Sequence, residues 1–470
     1  MSSFALWRLF HRGGNRKVTA TSLLAVIAFA GASAMFLTVL GGVHAFVWRA
    51  SPSHGFVDAF TFQESQASQT PQSSQYGVYL IYVVLALFAC MLLLVPFASL
   101  SASAARLAAA RRDARLAALR LAGATTGQVS RLTALEAAGQ ALLGSVLGMV
   151  IYVALIPAMM QIPFQNSLFH FHELWVGPTI LLIVAVAMTS LALISALSAL
   201  MRVVVTPLGV SARVTPPALR KWRLLVFLGV MIGAVALMKT PLSKYFSQAV
   251  AIAIFFAVIA LCFALINLIG PWVIAMRARM KVRRPRNVAT LLAMRRILDN
   301  PKRAWRNVSG IALAVFISGI TSICAYIGSS VQQASAQDAM LLKDIGTGGI
   351  VTLVFSAVLA AVSCGVMQAG NVYDQSEQYR MLMLEGADRQ TMSSARRIEV
   401  MTPLRVVVAV SAGSSMVLML PIFGSAMAQP WTLVAFLAGI ILCFVLVGVG
   451  VAAANRVSAS ISLVGARSDD

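Results

Sequence analysis

Few residues in this 470-residue chain could do chemistry, and their spacing narrows what that chemistry is. His170-Phe171-His172-Glu173 has the residue types of a metal pair. Alternate positions without further ligands nearby read instead as interfacial loop histidines, and no metal site is expected. None of the seven lysines lies in Gly-x-x-x-x-Gly-Lys-[Ser/Thr], so no phosphate-cradling loop for ATP is encoded. No Asp, Glu, Lys or Arg falls near the middle of an apolar run, so the usual proton- or sodium-coupling carboxylate is missing. Cys90, Cys262, Cys324, Cys364 and Cys443 each lie inside an apolar run and read as small buried apolar residues. No catalytic residue is expected, the chain reads as a non-enzyme, and its energy must come from a partner.

What remains is a motif suited to transmitting motion. Residues 105–122 carry Arg106, Arg111, Arg112, Arg115 and Arg120 among Ala and Leu in a helical pattern. Gly123 suits the left-handed position that ends a helix. Thr125 with Gln128 then spells the capping box of the next helix. A second copy follows at 378–388, where Gly386 matches Gly123 and Asp388 replaces Thr125 as the cap. Candidate elbow residues are Leu119, Arg120, Gly123, Ala124 and Thr125 in one copy, and Leu382, Gly386, Ala387 and Asp388 in the other. Glu136 and Glu399 come at the mouths of the next apolar runs. A carboxylate at the bilayer centre costs about 2.5–3.5 kcal/mol, so both should stay interfacial. They either pair with nearby Arg131 or Arg396 or take part in transmitting motion. Thr133-x-x-Glu136 is a further capping pattern that Arg396 breaks in the second copy.

The elements that must position these residues are membrane spans. With 59% apolar and 11% charged residues, the chain is far from soluble-domain composition, and a soluble enzyme or secreted protein is excluded. Apolar runs fall at about 20–46, 78–100, 134–160, 176–200, 224–242, 250–276, 308–327, 349–369, 406–428 and 431–453. The first is too long for the apolar region of a signal peptide. The fifth is the shortest and needs Trp222 and a snorkelling Lys239 to complete it. Of the 37 basic residues, 33 fall in alternate segments on one side, which the positive-inside rule makes cytoplasmic together with both termini. Only Arg49, Lys239, Lys244 and Lys343 face the other side. The net charge of +22 therefore reads as topology, not as nucleic-acid binding. The run from Arg277 to Arg286 reads first as a topogenic stop, with anionic lipid as a second role. Gly144-x-x-x-Gly148 and Gly229-x-x-x-Gly233 are expected to pack helices within the molecule, or secondarily between molecules. Glutamines at every third position from Gln63 to Gln75 read as an extended, solvated linker.

The two elbows belong to a longer internal repeat. An offset of 263 aligns Leu121 with Leu384, Gly123 with Gly386, Ala124 with Ala387 and Glu136 with Glu399. An offset of 288 aligns Ala5-Leu6-Trp7-Arg8-Leu9 with Ala293-Met294-Arg295-Arg296-Ile297. Spans 1–4 thus repeat as spans 7–10, and two intervening spans keep both copies facing the same way. The expected fold is an all-α polytopic membrane protein of ten helices: two parallel four-helix units, 1–203 and 286–470, joined by a two-helix hairpin in 204–285.

At Leu119-Arg120-Leu121-Ala122-Gly123-Ala124 through Glu136, and again at Leu382 through Glu399, the sequence resembles the FtsX-like permease family. These are membrane subunits of the mechanotransmission group of ABC transporters. The resemblance implies a separate cytoplasmic ATPase, in two copies, docking on the elbows and holding ATP and Mg. Ten spans with two such units look like the bacitracin-resistance type, although the outer loop from Gly328 to Gly348 is short here. It further implies a bacterial cytoplasmic membrane and expulsion of a hydrophobic or amphipathic substrate such as an antimicrobial peptide, drug or lipid. The alternative is a relay to an outer partner such as a cell-wall hydrolase or sensor kinase.

Overall fold

The computed structural model describes residues 16–50, 73–110, 125–204, 222–240, 248–306, 308–330, 336–374, 381, 385–386, 388–427 and scattered positions from 430 to 452. These residues are almost entirely helical. In chain order the helices are α1 (Arg16–Ala50), α2 (Ser73–Ala110), α3 (Thr126–Met159), α4 (Phe171–Leu174), α5 (Gly177–Val204) and α6 (Trp222–Lys239). There follow α7 (Gln248–Arg283), α8 (Val288–Asp299), α9 (Pro301–Arg306), α10 (Ser309–Ser330), α11 (Ala336–Asp374) and α12 (Arg389–Met427). Among the described residues, seven helical stretches are long and apolar enough to cross a membrane, and two apolar stretches, Tyr79–Leu94 and Ser309–Ile320, are shorter. The fifth expected span runs from Trp222 to Lys239, so the residues needed to complete it do so. Of the tenth, only part lies within the described residues. The chain divides into two compact units, residues 1–213 with 365–374, and 214–364 with 375–470.

In the first unit α1 is the central helix, packed on α2 and α3, while α5 closes against both α2 and α3. The α1–α3 contact is made possible by missing side chains. A Cβ on Gly144 would run into Phe29 and the Val26 carbonyl, and one on Gly148 would overlap Ser33. The Ser33 hydroxyl is satisfied locally, donating to the Phe29 carbonyl at 2.7 Å. Ala25, Ala28, Ala32 and Ala34 are buried along the same helix, so the backbones approach closely, as lipid-immersed helices require when hydrophobic exclusion does not drive them together. The opposite face of α3 exposes Leu142, Leu143, Val146, Leu147 and Val150, the surface of a helix bathed in lipid.

The end of this unit at which α1 finishes is closed by a cap that the sequence reading missed. Arg49, at the end of α1 where the helix dipole favours a cation, reaches across to the loop between α3 and α5. Its guanidinium donates to both Glu173 carboxylate oxygens, Nε to Oε1 at 3.0 Å and Nη2 to Oε2 at 2.8 Å. It also donates to the carbonyls of Leu168 at 2.9 Å and Phe164 at 3.2 Å, and lies 4.4 Å above the Phe169 ring. Glu173 in turn accepts from the His170 amide at 2.9 Å. Phe164 and Ser167 exchange backbone hydrogen bonds of 3.0 Å around Gln165 and Asn166, both left-handed at φ 53° and 58°. Glu173 is therefore an arginine partner, not a third ligand beside His170 and His172, whose rings lie parallel with centroids 5.6 Å apart.

In the second unit α12 packs on α10, with Gly319 against Ser415, and α10 meets α11 where Gly310 faces Ala360. Gly439 lies against Ser318 and Leu353 in the same way. The Gly229-x-x-x-Gly233 pattern behaves differently from Gly144-x-x-x-Gly148. A Cβ on either glycine meets no described atom within 4 Å, because α6 buries Met231 and Ala234 on its opposite face. The expected intramolecular packing at these two glycines is absent among the described residues.

Two expectations follow. Gly148→Ala must displace Ser33 and should cost about 1–3 kcal/mol, lowering the unfolding temperature in detergent, whereas Gly229→Ala, on an open face, should not lower it. Arg49→Ala should cost about 3–5 kcal/mol by leaving the Glu173 carboxylate buried without its cation. A double change to Arg49→Met with Glu173→Gln should recover part of that loss, read as amide-exchange protection over residues 160–176.

Candidate functional site

The candidate sites are two helix feet, one in each unit, at the starts of α3 and α12 ahead of their apolar parts. Each helix starts well before its apolar run. The 34 residues of α3 begin at Thr126 although the apolar run opens near 134, which leaves about 12 Å of helix at 1.5 Å per residue outside it. The 39 residues of α12 begin at Arg389 and turn apolar near 406, leaving about 25 Å. A push on either foot is carried along one continuous helix, although Pro403 leaves the Glu399 carbonyl of α12 without its usual helical donor.

At the first foot, Thr125 is extended at φ −71° and ψ 154° and caps α3. Its hydroxyl accepts from the Gln128 amide at 3.3 Å, and the Gln128 side chain accepts from the Thr125 amide at 3.1 Å. Two of the four free amides of the helix start are thereby satisfied. Thr133 lies within α3, one turn before Glu136, so Thr133-x-x-Glu136 is not a cap. Glu136 is half-buried. Leu119, Arg120, Gly123 and Ala124 lie outside the described residues, as do Leu382 and Ala387.

At the second foot, Gly386 has φ +91°, a conformation in which side chains are strained. The Glu385 amide bonds back to the Met381 carbonyl at 3.0 Å, and the Asp388 carbonyl accepts from Met392 at 3.1 Å as α12 begins. The chain thus turns at glycine and restarts as a helix.

This foot rests on a shelf made by the segment before α10. Helix α8 buries Ala289, Ala293, Met294 and Ile297, one side of an amphipathic helix, and packs on both α7 and α12. Met392, Ala395, Val400 and Leu404 are the buried side of α12 at these levels. Asn300 caps α9, its side chain accepting from the Arg303 amide at 3.0 Å, with Pro301 at the first helical position. Trp305 then lays its indole on Gly270 of α7, where a Cβ would collide with the ring. The indole N–H donates to the Asn267 side chain at 3.1 Å, and that side chain donates to the Phe263 carbonyl at 3.1 Å.

Glu399 ties shelf and foot together. Its carboxylate meets Arg296 of α8 at 3.7 Å, and the charges of Arg303 and Arg396 also bear on it. The sequence reading offered Arg131 or Arg396 as the nearest partners; the ion pair observed for Glu399 is with Arg296, one helix away. Arg296 was missed as a site residue, although the repeat had already marked the segment from Ala293 to Ile297.

Residues 98–206 match the family model described as FtsX-like permease C-terminal. The match takes in the end of α2, the first elbow, α3, the loop holding Glu173, and α5, while Arg49 lies outside it. No curated protein and no solved structure matches the chain. Both the motif at the first elbow and the family comparison therefore identify residues 98–206 as an FtsX-like permease domain.

Proposed function

We propose that the chain is the permease subunit of an ATP-driven complex in a bacterial cytoplasmic membrane, with both termini cytoplasmic. FtsX-like permeases generally work with a cytoplasmic ABC ATPase, and this chain encodes no phosphate loop of its own. The observation that carries the reading is the form of the two feet. One is a helix start capped by Thr125, and the other begins at Arg389 just after the left-handed Gly386; both helices run on into apolar spans. Closure of two ATPase copies around ATP and Mg would press on both elbows and tilt α3 and α12. The substrate class is a hydrophobic or amphipathic molecule, expelled from the membrane or its outer face.

The internal repeat supports two matched levers. It carries Arg8 onto Arg296 as well as Glu136 onto Glu399, so each lever has an arginine upstream and a carboxylate at its mouth. Glu399 then does more than balance charge: through Arg296 it makes α8 and α12 move together.

The built outer cap around Arg49 and Glu173 favours a second reading, a relay of ATP turnover to an outer partner. A partner recovered with the outer loops, in the absence of substrate flux, would select it.

The tagged full chain, purified from its own membranes, should bring down a P-loop ATPase. Gly386→Pro cannot adopt φ +91° and should keep that partner bound while lowering coupled transport at least tenfold. Unchanged transport would overturn the lever reading. Glu399→Gln should reduce coupling less than Gly386→Pro, and combining it with Arg296→Gln should add little, because the two act as one contact.

A further inference from the structure

The basic residues around the second unit fall into two sets with different chemistry. One set, Arg296, Arg303 and Arg396, surrounds the carboxylate of Glu399. The other consists of Arg277 and Lys281 on α7, Arg286 just after it, and Arg405 on α12. The charges of Arg277, Arg405 and Arg286 all bear on Lys281, and no carboxylate is among them. These residues come from two separate stretches of chain, 277–286 and Arg405, that packing has gathered: α7 and α12 are in contact, with Ala278 and Leu404 fully buried. Folding has therefore brought like charges together at a cost, and nothing among the described residues offsets it.

Depth and surroundings indicate what does. Arg277 directly follows the apolar run 250–276, and Arg405 directly precedes the run 406–428, so both stand at the boundary between hydrocarbon and water. Arg277, Arg286 and Arg405 are exposed. Beside them on α7, one turn apart, Met276 and Met280 are exposed by 40% and 50%. A cationic nest flanked by exposed methionines fits a molecule with anionic phosphate at one end and acyl chains at the other. A free phosphate would leave the methionines uncovered.

We infer that Arg277, Lys281, Arg286 and Arg405 form a binding site for the phosphate headgroup of an anionic phospholipid, with Met276 and Met280 against its acyl chains. Four cations match a headgroup with two phosphates better than one with a single phosphate. The site would hold a lipid at the joint between α7 and α12, and it stands or falls independently of the transport reading.

The test uses the full chain in phosphatidylcholine nanodiscs doped with cardiolipin or phosphatidylglycerol, with lipid retained after detergent extraction counted by native mass spectrometry. Wild type should retain cardiolipin over phosphatidylglycerol, and either over phosphatidylcholine. Each charge removed should weaken retention about fivefold, so Arg277→Gln with Arg405→Gln should lose it almost entirely. Arg279→Gln, Arg283→Gln and Arg284→Gln together remove exposed charge outside the nest and should leave retention unchanged. Equal loss in that control would overturn the site in favour of general positive charge, and equal retention in the double variant would overturn it outright. Displacement of cardiolipin by millimolar inorganic phosphate would show a free-anion site instead. Lys281→Gln alone provides a milder variant should the double one fail to insert.

Discussion

The structure depends on the backbone hydrogen bonding of two long helices, which lipid makes obligatory and which turns each into a stiff rod. In hydrocarbon nearly every peptide group must be satisfied within its own helix. Helices α3 and α12 continue as helix from their apolar runs into polar feet, missing single donors at Pro157 in α3 and at Pro403 and Pro421 in α12. A rod is useful as a lever only if its end is defined and its flank is held. Thr125 and Gln128 define one end, and the left-handed Gly386 defines the other. The flanks are held by Gly144 and Gly148 against α1 in the first unit, and by Ser415 against Gly319 in the second.

Charge is used in three ways along the molecule. Where α1 ends, Arg49 and Glu173 neutralise each other largely out of water and organise the loop backbone around them. A pair so enclosed contributes geometry more than net energy, because desolvation offsets most of its attraction. At the polar foot of α12, Glu399 pairs with Arg296 of α8, and the charges of Arg303 on α9 and Arg396 on α12 bear on it as well. Around Lys281 the cations stand without a carboxylate among the described residues.

Much of this could be read from residues alone, for reasons of length and locality. A run of some twenty apolar residues has one stable arrangement in lipid, and a cap such as Thr125-x-x-Gln128 involves neighbours only three apart. The left-handed turn at Gly386 is local in the same sense. Contacts between distant segments were not legible. Glu173 stood beside two histidines in sequence and its partner Arg49 was a hundred residues upstream, counted only as an outer charge. Two identical glycine patterns diverged as well: Gly144 and Gly148 face a neighbouring helix, and Gly229 and Gly233 face none that is described. Spacing fixes which residues share a face, but which face meets a neighbour depends on packing that one helix does not encode.

The seat of Trp305 has a further consequence for α7. Pro271 has no amide hydrogen, so the carbonyl of Asn267, one turn earlier, loses its usual helical donor at that level. The neighbouring Gly270 offers no side chain to stiffen the helix, and the indole bears on this point while gripping the Asn267 side chain. Helix α7 therefore carries a soft joint, and the aromatic wedge is fastened to it. A load passed through α9 to Trp305 would bend α7 at that one place instead of shifting it whole.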